Sequence, residues 1–146
     1  WTPHPNPERQ ILGLEYRSLK ALFSEADVVT IHLAHTPETE RIISEELLRR
    51  LKPGALFINA ARAQLVDNAA LARMLEAGDI GGAFDVYEQE PPPENLATKS
   101  LDNVVLTPHM GFNTREAASN MLSIAIDNIC AFVEGRRLNV ANPPTG

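Results

Sequence analysis

The chain has 146 residues, 44% hydrophobic and 22% charged, with a formal net charge of −6. That is enough for one domain burying roughly 68–70% of its unfolded surface, and too apolar for a disordered segment. The acidic balance argues against a nucleic-acid or anionic-membrane surface; no apolar run reaches the roughly 18 residues of a membrane span, and no basic leader precedes an apolar run, so the expected location is cytoplasmic. One cysteine, Cys130, excludes an internal disulfide and a multi-cysteine metal site. The first residue is Trp1, and Pro3, Pro5 and Pro7 come at once after it, which suggests a piece of something longer or a processed product.

Residues 14–16 read as a short strand. Ser18 caps a helix over 19–25, with Leu19, Leu22 and Phe23 on one face. The β-branched run 28–33 reads as a strand. Thr36 and Pro37 begin a turn, and Pro37 suits a first helical position. Ser44 caps a helix over 45–51, whose first-turn Glu45 and Glu46 favour the positive helix end. Pro53 and Gly54 then turn the chain into a strand over 55–59. Asp67 caps a helix over 68–77, with Leu71, Met74 and Leu75 inward and Gly78 as its stop. Strands are expected over 82–86 and 103–106, with a rigid proline-rich loop over 88–94 between them. Thr114 caps a long helix to about residue 134, ended by Gly135; Ala117, Met121, Ile124, Ala125, Ile129 and Phe132 repeat along it at helical spacing. Met74 and Met121 read as core fillers, Cys130 as a core or groove residue, and 139–146 as a fraying tail. Strands with little polar alternation, separated by helices, indicate an α/β fold with a mainly parallel sheet covered on both faces.

In such a sheet, ligands bind beyond the carboxyl ends of the strands. The residues just past each strand are therefore informative: Ala34, His35, Thr36 and Pro37 after the first; Ala60, Ala61 and Arg62 after the second; Asp85, Glu88 and Glu90 around the end of the third; Thr107, Pro108, His109, Met110 and Gly111 after the fourth. One edge thus collects an arginine, several carboxylates and a histidine. An arginine fork binds a carboxylate bidentately. A histidine exchanges a proton near neutral pH, and a carboxylate beside it orients the ring and favours its charged form. These parts suit interconversion of a 2-keto acid and a 2-hydroxy acid, with a cofactor as the hydride carrier. His32 and His35 have no third ligand at useful spacing, so no metal is expected.

At these residues the sequence resembles the D-isomer-specific 2-hydroxyacid dehydrogenase family. The matching blocks are 26–33, 36–39, 51–62, 65–67, 82–91 and 103–109. The resemblance implies a partial Rossmann-like, doubly wound sheet and an NAD or NADP cofactor. It makes Arg62 the substrate-carboxylate arginine, His109 the acid/base and Glu90 its carboxylate partner, these three being catalytic. The cofactor would meet Asp85 at the nicotinamide carboxamide, Ala60 and Ala61 near the ring, and His35, Thr36 and Pro37 on the adenine side, with Arg62, His109 and Gly111 also within its reach. Residues 1–113 would be the C-terminal portion of the dinucleotide-binding domain, and 114–146 a closing helix and tail returning toward a substrate domain. The partners implied are a small 2-keto or 2-hydroxy acid and, for the full-length protein, a second copy in a homodimer, with no nucleic acid and no membrane.

The sequence also departs from the family. Ala63 stands where glycine usually comes after the arginine, which would restrict a loop needing positive φ. Met110, Gly111 and Phe112 replace the usual Gly-Gly or Gly-Ser. Glutamate at 90, where formate dehydrogenases of the superfamily carry glutamine, disfavours formate. The Gly-x-Gly-x-x-Gly pyrophosphate loop and the first sheet strand have no counterpart in the 146 residues, so the piece is expected to be inactive alone and to hold dinucleotide weakly. Thr2, with His4 and Arg9 near, stands at the ribose position usually held by an acid, which favours tolerance of a 2′-phosphate. The rival reading is a non-catalytic corepressor-type binding protein on the same scaffold.

Overall fold

In the computed structural model, which describes residues 1–2, 5 and 14–141, four side chains start the four α-helices. Ser18, Ser44, Asp67 and Thr114 accept from the backbone N–H of Ala21, Leu47, Ala70 and Ala117, respectively. The helices are α1 (Leu19–Glu25), α2 (Glu45–Leu48), α3 (Asn68–Glu76) and α4 (Arg115–Val133). Helix α2 is shorter than the expected 45–51. Arg50 N–H bonds to Leu47 O and Leu51 N–H to Leu48 O, which tightens the end into turns before Pro53. Pro37 starts no helix: the N–H groups of Thr39 and Glu40 both donate to Thr36 O, closing a run of turns.

The strands β1 (Val28–Ile31), β2 (Leu56–Asn59), β3 (Gly81–Phe84) and β4 (Val104–Leu106) form one sheet in the order β1-β2-β3-β4. All three pairings are parallel. The first and third end two residues before the expected bounds, because the ladder stops at Ile31–Asn59–Phe84. Residues 14–16 are irregular chain, not the expected strand; there Glu15 engages Arg17 in an exposed ion pair at 2.8 Å, and no described strand pairs with them. His4, Arg9 and the tail beyond residue 141 lie outside the described residues.

The chain divides into two compact units, Trp1–His109 and Met110–Gly146. In the first, Phe57 is fully buried at the centre of a core with Phe23, Val29, Leu48, Leu71 and Leu75. Its ring lies 6.3 Å from that of Phe23 and 6.4 Å from that of Phe84. Close packing here requires Gly82: a Cβ on it would lie 2.5 Å from the Phe84 ring. On the opposite sheet face Val28, Leu56 and Val105 are exposed. Met74 packs against the core as expected. In the second unit the apolar stripe of α4 is not a core: Met121, Ile124, Ile129 and Phe132 are exposed, as is Cys130, and only Ala131 is buried. Among the described residues this unit holds no second helix or strand to receive that stripe. No described helix is long and apolar enough to cross a membrane.

Candidate active site

Because every pairing is parallel, the carboxyl ends of the strands, at Ile31, Asn59, Phe84 and Leu106, share one edge of the sheet. Ligands bind beyond such edges. The expected residues of the first unit leave from these four ends.

Beyond β2, the chain makes a tight loop before Ala63–Leu65 close a 3-10 turn. Asn59 holds that loop. It is 2% exposed; its Oδ1 accepts from Ala61 N–H at 3.0 Å, and its Nδ2 donates to Arg62 O at 2.9 Å. The guanidinium of Arg62 donates from Nη1 to Ala61 O at 2.6 Å. Ala63 is buried and its φ is not positive, so it imposes no restriction of the kind glycine would relieve.

Beyond β3, Asp85 N–H donates to Asn59 O at 3.2 Å, which ties the ends of β2 and β3 together. Its Oδ1 accepts from Thr107 Oγ1 at 2.5 Å. Two residues on, Tyr87 donates its hydroxyl to Thr107 O at 2.8 Å and its N–H to Glu90 Oε1 at 3.1 Å. Burial, with the charges of Asp85 and Glu90, pushes the Tyr87 hydroxyl above the usual tyrosine range, so it stays a donor.

Beyond β4, His109 takes a left-handed φ of 49°, a region histidine enters more readily than most residues. Its Nδ1 lies 2.7 Å from Glu90 Oε2. A carboxylate can only accept, so Nδ1 carries the hydrogen of that bond. The His109 bond first, the Tyr87 N–H next, and the charges of His109 and Arg62 hold the Glu90 carboxyl below the usual glutamate range. Glu90 and His109 thus pair directly, and the Arg62 charge reaches the Glu90 carboxyl although 28 positions separate the two in the chain. Glu88, the other acid of this loop, lines an apolar groove with Leu71 and Pro92.

Beyond β1, the turn is fastened by Thr39, whose hydroxyl donates to Ala34 O at 2.7 Å and accepts from Thr36 N–H at 2.8 Å. His35 pairs with Glu40 at 2.9 Å, and His32 bonds Thr30 at 3.0 Å. Pro37 lies exposed in the turn. Thr2 is part-buried and lines a cavity of about 210 Å³ with Trp1, Leu19, Phe23 and His32. Gly111 falls in the second unit. No described group of three His, Cys, Asp or Glu side chains is placed to hold a metal ion.

Three positioning side chains are not marked out by sequence pattern: Asn59, Tyr87 and Thr107. The legible signal for Asn59 is an amide at the end of an otherwise apolar strand. Tyr87 and Thr107 carry none, since their bonds run between separate strands.

A dinucleotide's carboxamide end fits what is present. Asp85 is a carboxylate acceptor whose Oδ1 takes the Thr107 hydroxyl and whose N–H joins Asn59 O, the residue before the small side chains of Ala60 and Ala61. Comparison with known proteins gives the same direction. The chain is 42% identical over 125 residues to a glycerate dehydrogenase of Methylorubrum extorquens, covering 84% of this chain and 40% of the relative. It is 43% identical over 129 residues to a glyoxylate reductase of Thermofilum pendens, covering 88% and 38%. It superposes on a D-lactate dehydrogenase with NAD+ from Lactobacillus jensenii with a TM-score of 0.87 at 28% identity, covering 98% of this chain and 47% of the other. The chain therefore spans about two fifths of the length of the relatives it matches. Residues 1–111 match the D-isomer specific 2-hydroxyacid dehydrogenase NAD binding domain, and the chain belongs to that family.

Proposed function

We propose that the protein interconverts a small 2-keto acid and the corresponding D-2-hydroxy acid, using NAD(H) or NADP(H), and that Arg62, Glu90 and His109 carry the chemistry. The observation that supports this most is the 2.7 Å pairing of Glu90 with His109 Nδ1 beside Arg62, at the ligand-binding edge of an NAD-binding fold. The relatives' length makes this an activity of the whole protein.

With Nδ1 committed to Glu90, the proton His109 exchanges with the substrate oxygen is the one on Nε2. Glu90 fixes the ring's orientation and stabilises the imidazolium, in which both ring nitrogens carry hydrogen. Arg62 holds the substrate carboxylate through its planar fork and draws charge from the adjacent carbonyl. The nicotinamide, when bound, supplies or accepts the hydride. Asp85 would accept from the carboxamide, Ala60 and Ala61 would border the ring, and the His35–Thr36–Pro37 turn would border the adenine. In the reducing direction the His109 Nε2 proton would go to the keto oxygen, leaving the ring neutral with Nδ1 still bonded to Glu90. A homodimer of the full-length protein, with the apolar stripe of α4 covered, belongs to the same proposal.

The test is NADH and NADPH consumption by the full-length protein with glyoxylate, hydroxypyruvate and pyruvate. Turnover with at least one of them, abolished in His109→Ala, is the expected result. No turnover with any 2-keto acid, or undiminished turnover in the variant, would overturn the proposal.

A further inference from the structure

Thr107 uses every polar atom it has. Its N–H donates to Phe84 O at 3.0 Å, joining β4's end to β3. Its hydroxyl donates to Asp85 Oδ1 at 2.5 Å. Its carbonyl accepts twice, from the Tyr87 hydroxyl at 2.8 Å and from His109 N–H at 3.1 Å. The last two bonds bracket the turn in which His109 adopts its left-handed φ of 49°. The side chain is only part-buried, so packing alone does not account for this saturation.

We infer that Thr107 is a positioning residue with two separable duties: its hydroxyl orients the Asp85 carboxylate toward the cofactor, and its carbonyl sets the turn that aims His109. The inference rests on the dehydrogenase reading for the roles of Asp85 and His109, and on distances alone for the bonds. The hydroxyl bond is to a carboxylate and joins the ends of two strands that lie 22 positions apart in sequence. That bond favours one rotamer of the Asp85 carboxylate before the cofactor arrives, and a side chain ordered in advance lowers the cost of binding. The carbonyl bonds are main-chain acceptances that any residue at 107 keeps. The two duties therefore separate under substitution.

Thr107→Val removes the hydroxyl at nearly constant shape, and Thr107→Ser keeps it. In the full-length protein, Thr107→Val is expected to weaken NADH binding about threefold to tenfold by nicotinamide fluorescence, the cost of ordering one side chain on binding. Substrate KM at saturating NADH and the pH profile of turnover, which report Arg62 and the Glu90–His109 pair, are expected to stay in place. Glu90, which bonds His109, and Arg62, Asp85 and Tyr87 on the neighbouring loops are all retained. Thr107→Ser is expected to bind NADH as the parent does. Unchanged NADH affinity in Thr107→Val, or an equal loss in Thr107→Ser, would overturn the inference. Should the parent protein bind no NADH, the dehydrogenase reading fails, and Thr107 is then judged by the crystal structure of Thr107→Val: a reoriented Asp85 carboxylate supports the assignment, and an unmoved one refutes it.

Discussion

Asn59→Asp changes one atom and reverses one hydrogen bond. Asn59 is 2% exposed, with Nδ2 donating to Arg62 O at 2.9 Å and Oδ1 accepting from Ala61 N–H at 3.0 Å. An aspartate there keeps the second bond. Ionised, it sets a carboxylate oxygen against the Arg62 carbonyl and strands a charge in the core edge; protonated, it donates as the amide did. Its native-state pKa must therefore rise above the unfolded value of about 3.9. A rise of about two units, below the roughly 3–5 that full burial can produce, is worth about 3 kcal/mol. By linkage, a raised native pKa gives stability that is present below the unfolded value and is lost as pH climbs to the native one. Urea unfolding of Asn59→Asp and parent should give nearly equal stabilities at about pH 4 and differ by about 3 kcal/mol at about pH 7. The same offset at both pH values would refute the role of Asn59 as a hydrogen-bond donor to the Arg62 loop.

Arg62→Lys keeps the charge but loses the fork, so KM for the 2-keto acid should rise about tenfold to a hundredfold while cofactor affinity stays near the parent value; steady-state kinetics with each substrate varied in turn reads this. Glu90→Gln keeps the side-chain shape but takes away the carboxylate that orients the His109 ring, so kcat should fall about tenfold or more while cofactor affinity stays near the parent value, and steady-state kinetics reads both. The same variant tests stability. The depressed Glu90 pKa, due first to His109 and next to Tyr87 N–H, gives stability above the ordinary glutamate value of 4.5 that is lost as pH falls through the lower native value. Acid unfolding of Glu90→Gln should accordingly be shallower in that range.

The strand runs and the residues after them are legible because a parallel strand writes itself as a short apolar stretch, β-branched at 28–31 and bounded by a Pro-Gly turn before 56–59. Caps are legible at Ser18, Ser44, Asp67 and Thr114 because the capping bond is local. The short bounds of α2 and β3 are not, since pairing and turn closure end those elements and composition does not. The stripe on α4 announces an apolar face correctly and its burial wrongly: periodicity states which residues share a face, not whether anything covers it. At the site, Arg62, Asp85, Glu90 and His109 stand out by chemistry and by resemblance. Asn59, Tyr87 and Thr107 do not: Asn59 acts on the main chain of its own loop, and the Tyr87 and Thr107 hydroxyls bond residues about twenty positions away, which no spacing encodes.

If hydride and proton meet a 2-keto acid at this strand edge, the destination of the hydride reveals it. Turnover of pyruvate or glyoxylate by the full-length protein with NADH deuterated at the transferable C4 position should place deuterium on C2 of the product, with D configuration where C2 is chiral. Product without deuterium at C2, or L-configured product, would contradict the assignment of this edge to D-2-hydroxy acid chemistry.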